Sequence, residues 1–238
     1  MALTLYQFPQ TGRLPNDSPF CLKVQAYLRL AGLEYRCLGV PPFKSPTGKL
    51  PMLDDNGLRI PDSSAILAHL EASLGERALD AGLSESERAQ GLAIQRLVEE
   101  HLYWALLWMR WIDPAGWPAT LKSFFGALPP GPRQLVGGLI RRKLRRDARG
   151  HGLGLLSREQ ILHRAEQDLA TLAALLGGQA YFLGAAPRTV DACVYGLLGN
   201  ILGSELRTPL TELAERHANL KAYCARLQAR CFPELNRA

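Results

Sequence analysis

Asp17-Ser18-Pro19-Phe20-Cys21, read together with Lys49-Leu50-Pro51-Met52 and Asp62-Ser63-Ser64, decides the architecture of this 238-residue chain. The first stretch follows an apolar strand, Leu3 to Phe8, and a loop of polar and turn residues. Ser18 is a good helix N-cap, because its hydroxyl oxygen accepts a backbone N–H of the first turn. Pro19 fits the first helical position, where its missing N–H costs nothing. Leu22, Ala26, Tyr27 and Leu30 then recur at helical spacing, and Gly32 stops the run. A serine hydroxyl therefore stands at the positive end of a helix, just past the tip of a strand, which is a place to hold an anion. On this stretch alone, a serine that merely caps its helix accounts for the pattern. The two later pieces give it a second role.

Working outward, residues 1 to about 75 alternate strand and helix. Tyr35 to Val40 is a second strand, and the βαβ order makes it parallel to the first. Pro41 to Lys49 is a loop punctuated by prolines, with little room for a helix. Pro51 to Leu53 and Leu58 to Ile60 form a hairpin around Asp54-Asp55-Asn56-Gly57, where Asn-Gly supplies the positive φ angles of a tight turn. Asp62 or Ser63 then caps a helix with Ile66, Leu67, Leu70 and Leu74 on its apolar face, ended by Gly75. Strand, helix, three strands and helix, with a proline opening the third strand, is the order of a thioredoxin-like domain.

From Glu85 onward the pattern is helical throughout. Glu85 to Trp111 reads as one long helix whose second half is dense in aromatics: Tyr103, Trp104, Trp108 and Trp111. A short helix around Leu121, Phe124 and Phe125 follows, then a basic helix over Arg133 to Arg146, predicted to be exposed and mobile. A glycine bend at Gly150, Gly152 and Gly154 comes next. Ser157 with Gln160 is a capping box. Val190 to Leu202, nearly all apolar and small, is predicted as the buried central helix. Helices from Leu210 and Leu220 close the chain. The predicted division is 1–75 and 84–238.

Charge and cysteine usage narrow the function classes. The formal net charge is +6. Residues 133–149 hold Arg133, Arg141, Arg142, Lys143, Arg145, Arg146 and Arg149 against the single acid Asp147, which accounts for the whole excess. A basic character confined to one segment argues against a general nucleic-acid-binding surface and leaves peripheral contact with an anionic membrane as an expectation. Five cysteines without framework spacing, and no signal-peptide pattern, point to reduced thiols in a cytoplasmic protein. No Cys/His cluster has the spacing of zinc ligands, so no metal is expected.

Ser18-Pro-Phe-Cys21, Lys49-Leu-Pro51, Asp62-Ser63 and the later run Pro187-Arg-Thr-Val-Asp191-Ala resemble the glutathione S-transferase superfamily over almost the whole chain. Ser-Pro-Phe-Cys-Leu-Lys, Ser45-Pro-Thr-Gly-Lys-Leu-Pro51 and Arg145-Arg-Asp-Ala-Arg-Gly-His-Gly-Leu-Gly are most similar to its metaxin and failed-axon-connections-like branch. The resemblance implies an α/β thioredoxin-like N-terminal domain followed by an all-α C-terminal domain.

It also implies glutathione as co-substrate, a small electrophile as its acceptor, and a homodimer. Ser18 matches the thiol-activating position, with Cys21 and Tyr6 as rivals. Cys21 occupies the place of a resolving cysteine whose partner is replaced by Ser18, so two-thiol exchange is not available. Pro51 is expected in the cis form, and Leu50, Pro51 and Met52 form the segment against which the cysteinyl residue would lie, with Met52 offering its backbone as if to one more strand. Asp62 and Ser63 suit the γ-glutamyl ammonium and carboxylate, and Lys49 the glycyl carboxylate. The electrophile is expected between the domains, near Phe8 or the loop that follows it and the aromatic face of helix 85–111. One departure is Arg188, which stands where a capping Ser or Thr is usual. A second reading is a non-catalytic binding or adaptor protein on the same fold. A third is a glutathione-dependent isomerase or reductase.

Overall fold

Apolar strands alternating with helix-period runs build a four-stranded sheet and its two helices, then a helical array, in a computed structural model that describes residues 3–236. The first part is β1 (Leu3–Gln7), α1 (Pro19–Leu30), β2 (Tyr35–Gly39), β3 (Met52–Asp55), β4 (Leu58–Pro61) and α2 (Ser63–Leu74). β1 and β2 are parallel, as a helical crossover requires, and β1–β3 and β3–β4 are antiparallel. The strand order is β2-β1-β3-β4. Asn56 and Gly57, with φ of 52° and 94°, make the two-residue turn of the β3–β4 hairpin. The loop ahead of Pro51 holds only the single 3-10 turn Pro42–Lys44, and the Leu50–Pro51 bond is cis.

The helical part comprises α3 (Glu85–Arg96), α4 (Tyr103–Leu107), α5 (Trp117–Phe125), α6 (Pro130–His151), α7 (Arg158–Leu176), α8 (Thr189–Leu202), α9 (Pro209–Glu215) and α10 (Ala218–Cys231). π-helical turns at Leu97–Leu102 and Trp108–Ile112 join α3 and α4 into the long rod that the periodicity predicts. Each π turn inserts a residue and rotates the side chains beyond it, a feature common near functional sites. The chain's buried Glu99 lies in the first of them and its buried Arg110 in the second. α8 is the central helix, with every residue from Val190 to Ile201 buried, and α1 packs across it with Cys21 to Leu28 all buried.

Two sequence expectations are corrected here. The basic helix is longer than read: α6 runs through Gly150 and stops at Gly152, whose φ is 98°. It is also anchored along one face. Arg141 donates to the carbonyls of Trp111 and Ile112, each at 2.9 Å, and its guanidinium lies 4.8 Å over the Trp117 ring. His151 stacks on Trp104 at 4.4 Å. The second correction concerns the start of α8. Arg188 has no acceptor to offer a helix N–H, but the cap is supplied from the segment between α2 and α3. The Arg188 guanidinium grips the carbonyls of Leu79 and Ala81, which brings the Asp80 carboxylate 2.9 Å from the Thr189 N–H. Arg188 thus organises a cap that it cannot itself make.

Asp191, fully buried, accepts from the N–H groups of Phe182 (3.0 Å) and Arg188 (2.8 Å) and from the Tyr223 hydroxyl (3.0 Å). Burial raises its pKa from 3.8 to about 6, and those three hydrogen bonds oppose the rise without cancelling it. A carboxyl whose folded pKa is raised favours the folded state most below the unfolded value, and that contribution is lost as pH rises through the folded value. Between about pH 4 and 6, Asp191 should therefore remove about 3 kcal/mol of stability. Urea unfolding against pH, compared with Asp191→Asn, isolates this slope. Parallel curves for the two proteins would mean that Asp191 is already ionised at pH 4.

Candidate functional site

The register brings the quoted stretches to one end of the sheet. Tyr6 near the end of β1 lies opposite Met52 at the start of β3, and Met52 lies opposite Pro61 at the end of β4. The loop into α1, the cis Leu50–Pro51 bond and the start of α2 therefore all meet at that edge. Lys23, one turn into α1, donates to Ser63 Oγ at 3.2 Å and ties the two helix starts together.

Ser18 occupies the N-cap position of α1, as predicted, but its hydroxyl does not cap. The Ser18 N–H instead donates to Asn16 Oδ1 at 3.0 Å. The N–H groups of Phe20 and Cys21 find no partner among the described residues. A half-buried hydroxyl and two open N–H groups thus stand at the positive end of a twelve-residue helix. The hydroxyl lies against the Cys21 sulfur. Burial pushes that thiol up to about 11, and hydrogen bonds from the Ser18 side chain and the Phe8 backbone only partly offset the rise. A fully buried thiol at that value is a packing group and not a thiolate at neutral pH. Tyr6, half-buried on β1, lies opposite Leu38 and Met52.

The loop ahead of Ser18 is held by buried polar groups that the sequence reading did not single out. Asn16 donates to the Phe8 carbonyl at 2.7 Å. Asp17 accepts from Thr11 and Ser204, both at 2.7 Å. Arg110 donates to the carbonyls of Asp17 (3.1 Å) and Asn200 (2.7 Å) and to Asn200 Oδ1 (3.0 Å), and Asn200 returns a bond to the Asn16 carbonyl at 3.2 Å. Burial lowers Arg110 to about 10, with the Asp17 carboxylate opposing that shift. Helices after residue 100 therefore fix the loop that presents Ser18. The available signal was weak: an arginine inside an aromatic run and an asparagine inside the most apolar helix.

At the start of α2, Asp62 caps the helix through one oxygen, Oδ1, which accepts from Ser64 (2.9 Å) and Ala65 (3.1 Å). Oδ2 and the Ser63 N–H have no partner among the described residues. Beneath them Lys23, 1% exposed, donates to Ser63 Oγ (3.2 Å) and Ser64 Oγ (3.1 Å), and its ammonium forms an ion pair with Glu99 Oε1 at 2.6 Å. Gln95 donates to Ser64 Oγ and to Glu99 Oε2.

Met52 does not present a free backbone edge. It lies in β3, paired with Tyr6 on one side and Pro61 on the other, so no further strand can add there. Leu50, outside the strand, has no backbone partner among the described residues. Lys49 is exposed in the loop just before it. The aromatic face of the long helix also divides differently from expectation. Trp111 packs on Trp117, Phe124 and Phe125, and Trp104 on His151. Tyr103 meets the α1 start, edge-on to Phe20 at 4.7 Å. The recess between them is lined by Pro19 and Phe20 on one side and by Lys23, Glu99 and Cys193.

Two family models match the chain: "Glutathione S-transferase N-terminal domain" over residues 19–116 and "Glutathione S-transferase, C-terminal domain" over residues 165–227. The chain is 31% identical over 250 residues to Failed axon connections of Drosophila melanogaster, covering 97% of this chain and 58% of that protein. It is 30% identical over 233 residues to the isoprene-epoxide–glutathione S-transferase of Rhodococcus sp. strain AD45, covering 95% and 98%. It is 28% identical over 236 residues to human metaxin-2, covering 97% and 89%. A solved glutathione S-transferase from Methylobacterium radiotolerans JCM 2831, in complex with glutathione sulfonate, superposes with a TM-score of 0.65 at 20% identity, over 98% of this chain and 94% of that one. At that identity the superposition speaks for the fold alone.

Proposed function

Because the chain belongs to the glutathione S-transferase superfamily, we propose that it binds glutathione at the Ser18 end of the sheet and presents the thiolate to a small electrophile. The observation that carries this reading is the Ser18 hydroxyl at a helix start that it does not cap, set against the Cys21 sulfur, beside a second helix start with its own open N–H at Ser63. Residues 1–75 act as the glutathione-holding domain and 84–238 as the helical domain. The Ser63 N–H and hydroxyl take the γ-glutamyl carboxylate, and Asp62 Oδ2 takes its ammonium. The cysteinyl backbone lies along Leu50 ahead of Pro51, and Lys49 meets the glycyl carboxylate. Lowering a thiol from its ordinary pKa near 8.5 by about two units takes about 2.7 kcal/mol. A hydrogen bond to a charged acceptor supplies about 1.5–3 kcal/mol, and a helix N-terminus about 0.3–1 kcal/mol. Ser18 and α1 together suffice. A homodimer in the cytoplasm belongs to the same reading. Among the described residues no helix is long and apolar enough to cross a membrane.

Absorbance titration of the bound thiolate tests it. Glutathione should bind and titrate about two units below the free thiol. Ser18→Ala should give back most of that shift and lower turnover about 10²-fold or less, while Cys21→Ser and Tyr6→Phe should change little. Asp62→Asn with Ser63→Ala should weaken binding at least tenfold, about 1.4 kcal/mol. If Tyr6→Phe or Cys21→Ser moves the titration and Ser18→Ala does not, Ser18 is not the activating group.

One observation favours the non-catalytic adaptor reading: Phe20 against Tyr103 narrows the recess beside Ser18 on the side where an electrophile would enter. A folded protein that fails to retain glutathione at all would favour that reading. Glutathione-dependent reduction through Cys21 is disfavoured by its burial.

A further inference from the structure

α6 carries an outward line at alternating spacings of four and three: Leu135, Leu139, Arg142, Arg146 and Arg149. Such spacing keeps all five on one face. The opposite face is the one that Arg141, Gly137 and Ala148 bury against the long rod and α5, so the orientation of the line is fixed by packing. Leu135 is 66% exposed and Leu139 61%, two of the largest apolar exposures in the chain. All three arginines of the line are exposed, and Lys143 and Arg145 flank it. The one acid of the helix, Asp147, lies to the side of the line, paired with Lys143 and, at a longer 3.9 Å, with Arg146. At 1.5 Å per residue the line is about 21 Å long.

We propose that this face of α6 docks flat on an anionic lipid surface. The two leucines sink among the acyl chains at one end, and the arginines meet headgroup phosphates along the rest. The chemistry selects this occupant. Apolar and basic side chains on a single line suit an interface where water, phosphate and hydrocarbon lie within a few ångströms, and arginine stems bridge that boundary. A nucleic acid or an acidic protein surface would engage the arginines and leave both leucines in water. A second copy of the same face would set like charges against one another. The inference does not rest on glutathione turnover.

The test is flotation of the full chain with phosphatidylcholine vesicles, with and without phosphatidylserine. The protein should float with the anionic vesicles only, and less so as salt shortens the Debye length from about 10 Å at 0.1 M to 3 Å at 1 M. Each arginine is worth roughly fivefold in binding, so Arg142→Gln/Arg146→Gln/Arg149→Gln should weaken it about 100-fold. Leu135→Gln/Leu139→Gln should weaken it at least about tenfold. Both variants alter exposed side chains, and an unchanged thermal unfolding curve checks that they remain folded. Absence of flotation with anionic vesicles at low salt overturns the proposal. So does a leucine variant that floats like the parent, because the leucines then do not sink among the acyl chains and the face does not dock as proposed.

Discussion

Lys23→Met should cost about 3–5 kcal/mol of folding stability. Lys23 lies in the buried stretch of α1, packed against α8, with its ammonium 2.6 Å from Glu99 and shared with Ser63 and Ser64. Met has nearly the same length, so packing is largely kept. What is lost is the only cation paired with Glu99 among the described residues, and that carboxylate is 8% exposed. Removing one partner of a buried pair leaves the other charge uncompensated, whereas replacing both by apolar groups is often neutral. The double variant Lys23→Met/Glu99→Leu should therefore recover most of the loss. Urea unfolding of the two single variants and the double gives the cycle. A loss near 1 kcal/mol for Lys23→Met, or a double variant no better than the single, would mean that the pair does not hold these helices together. Glutathione affinity supplies a second readout: without Lys23 the Ser63 hydroxyl loses the donor that orients it, and binding should weaken even where the protein remains folded.

This pair marks the limit of what was legible. Leu22, Ala26, Tyr27 and Leu30 disclosed α1 through their spacing, but the helix is wrapped on every side, so Lys23 and Gln25 are buried as well. A periodicity argument assigns such residues to water. Their partners, Glu99 and Gln7, come from other elements and cannot be read locally. The same holds for the cap of α8, where Asp80 lies far ahead of Thr189 in the chain and only the Arg188 grip brings it near. Local chemistry was read more faithfully. The Asn56-Gly57 turn, the Ser157–Gln160 capping box and the buried Val190–Ile201 run each follow from residues close in sequence. For the site, position was legible and occupancy was not. Ser18 and Ser63 stand at their helix starts, but only the fold reveals that one hydroxyl leaves its helix uncapped and lies against Cys21 while the other leans on Lys23. A proline at a strand start, as at Pro51 ahead of Met52, does not disclose whether the strand is central or at an edge. β3 proves to be central.

The junction of α1 with α8 carries the second large effect, and it turns on one glycine. A Cβ on Gly196 would stand 2.6 Å from the Pro19 carbonyl oxygen, 2.8 Å from Lys23 Cβ and 3.0 Å from Lys23 Cα. Two of those atoms are backbone, so no change of rotamer relieves the clash, and α1 itself must move. Overpacking of this kind costs about 1–3 kcal/mol and occasionally more. Against it stands the helix propensity of alanine, worth about 0.5–1 kcal/mol over glycine. Gly196→Ala should therefore lose about 2 kcal/mol net, and the bulkier Gly196→Val about 3 kcal/mol or more. For a chain of this size the alanine variant should melt about 4–8 °C lower. Gly138 supplies the opposite sign. It lies within α6 with nothing inside 4 Å of its would-be Cβ, so Gly138→Ala should stabilise by about 0.5–1 kcal/mol. The displacement has a functional signature too. Pro19 adjoins Ser18, so a shifted α1 should move the titration of bound glutathione in Gly196→Ala and leave it unmoved in Gly138→Ala. Equal melting temperatures for the two alanine variants would show that α1 and α8 separate freely at Gly196, and the close crossing would then not be what joins the sheet to the helices.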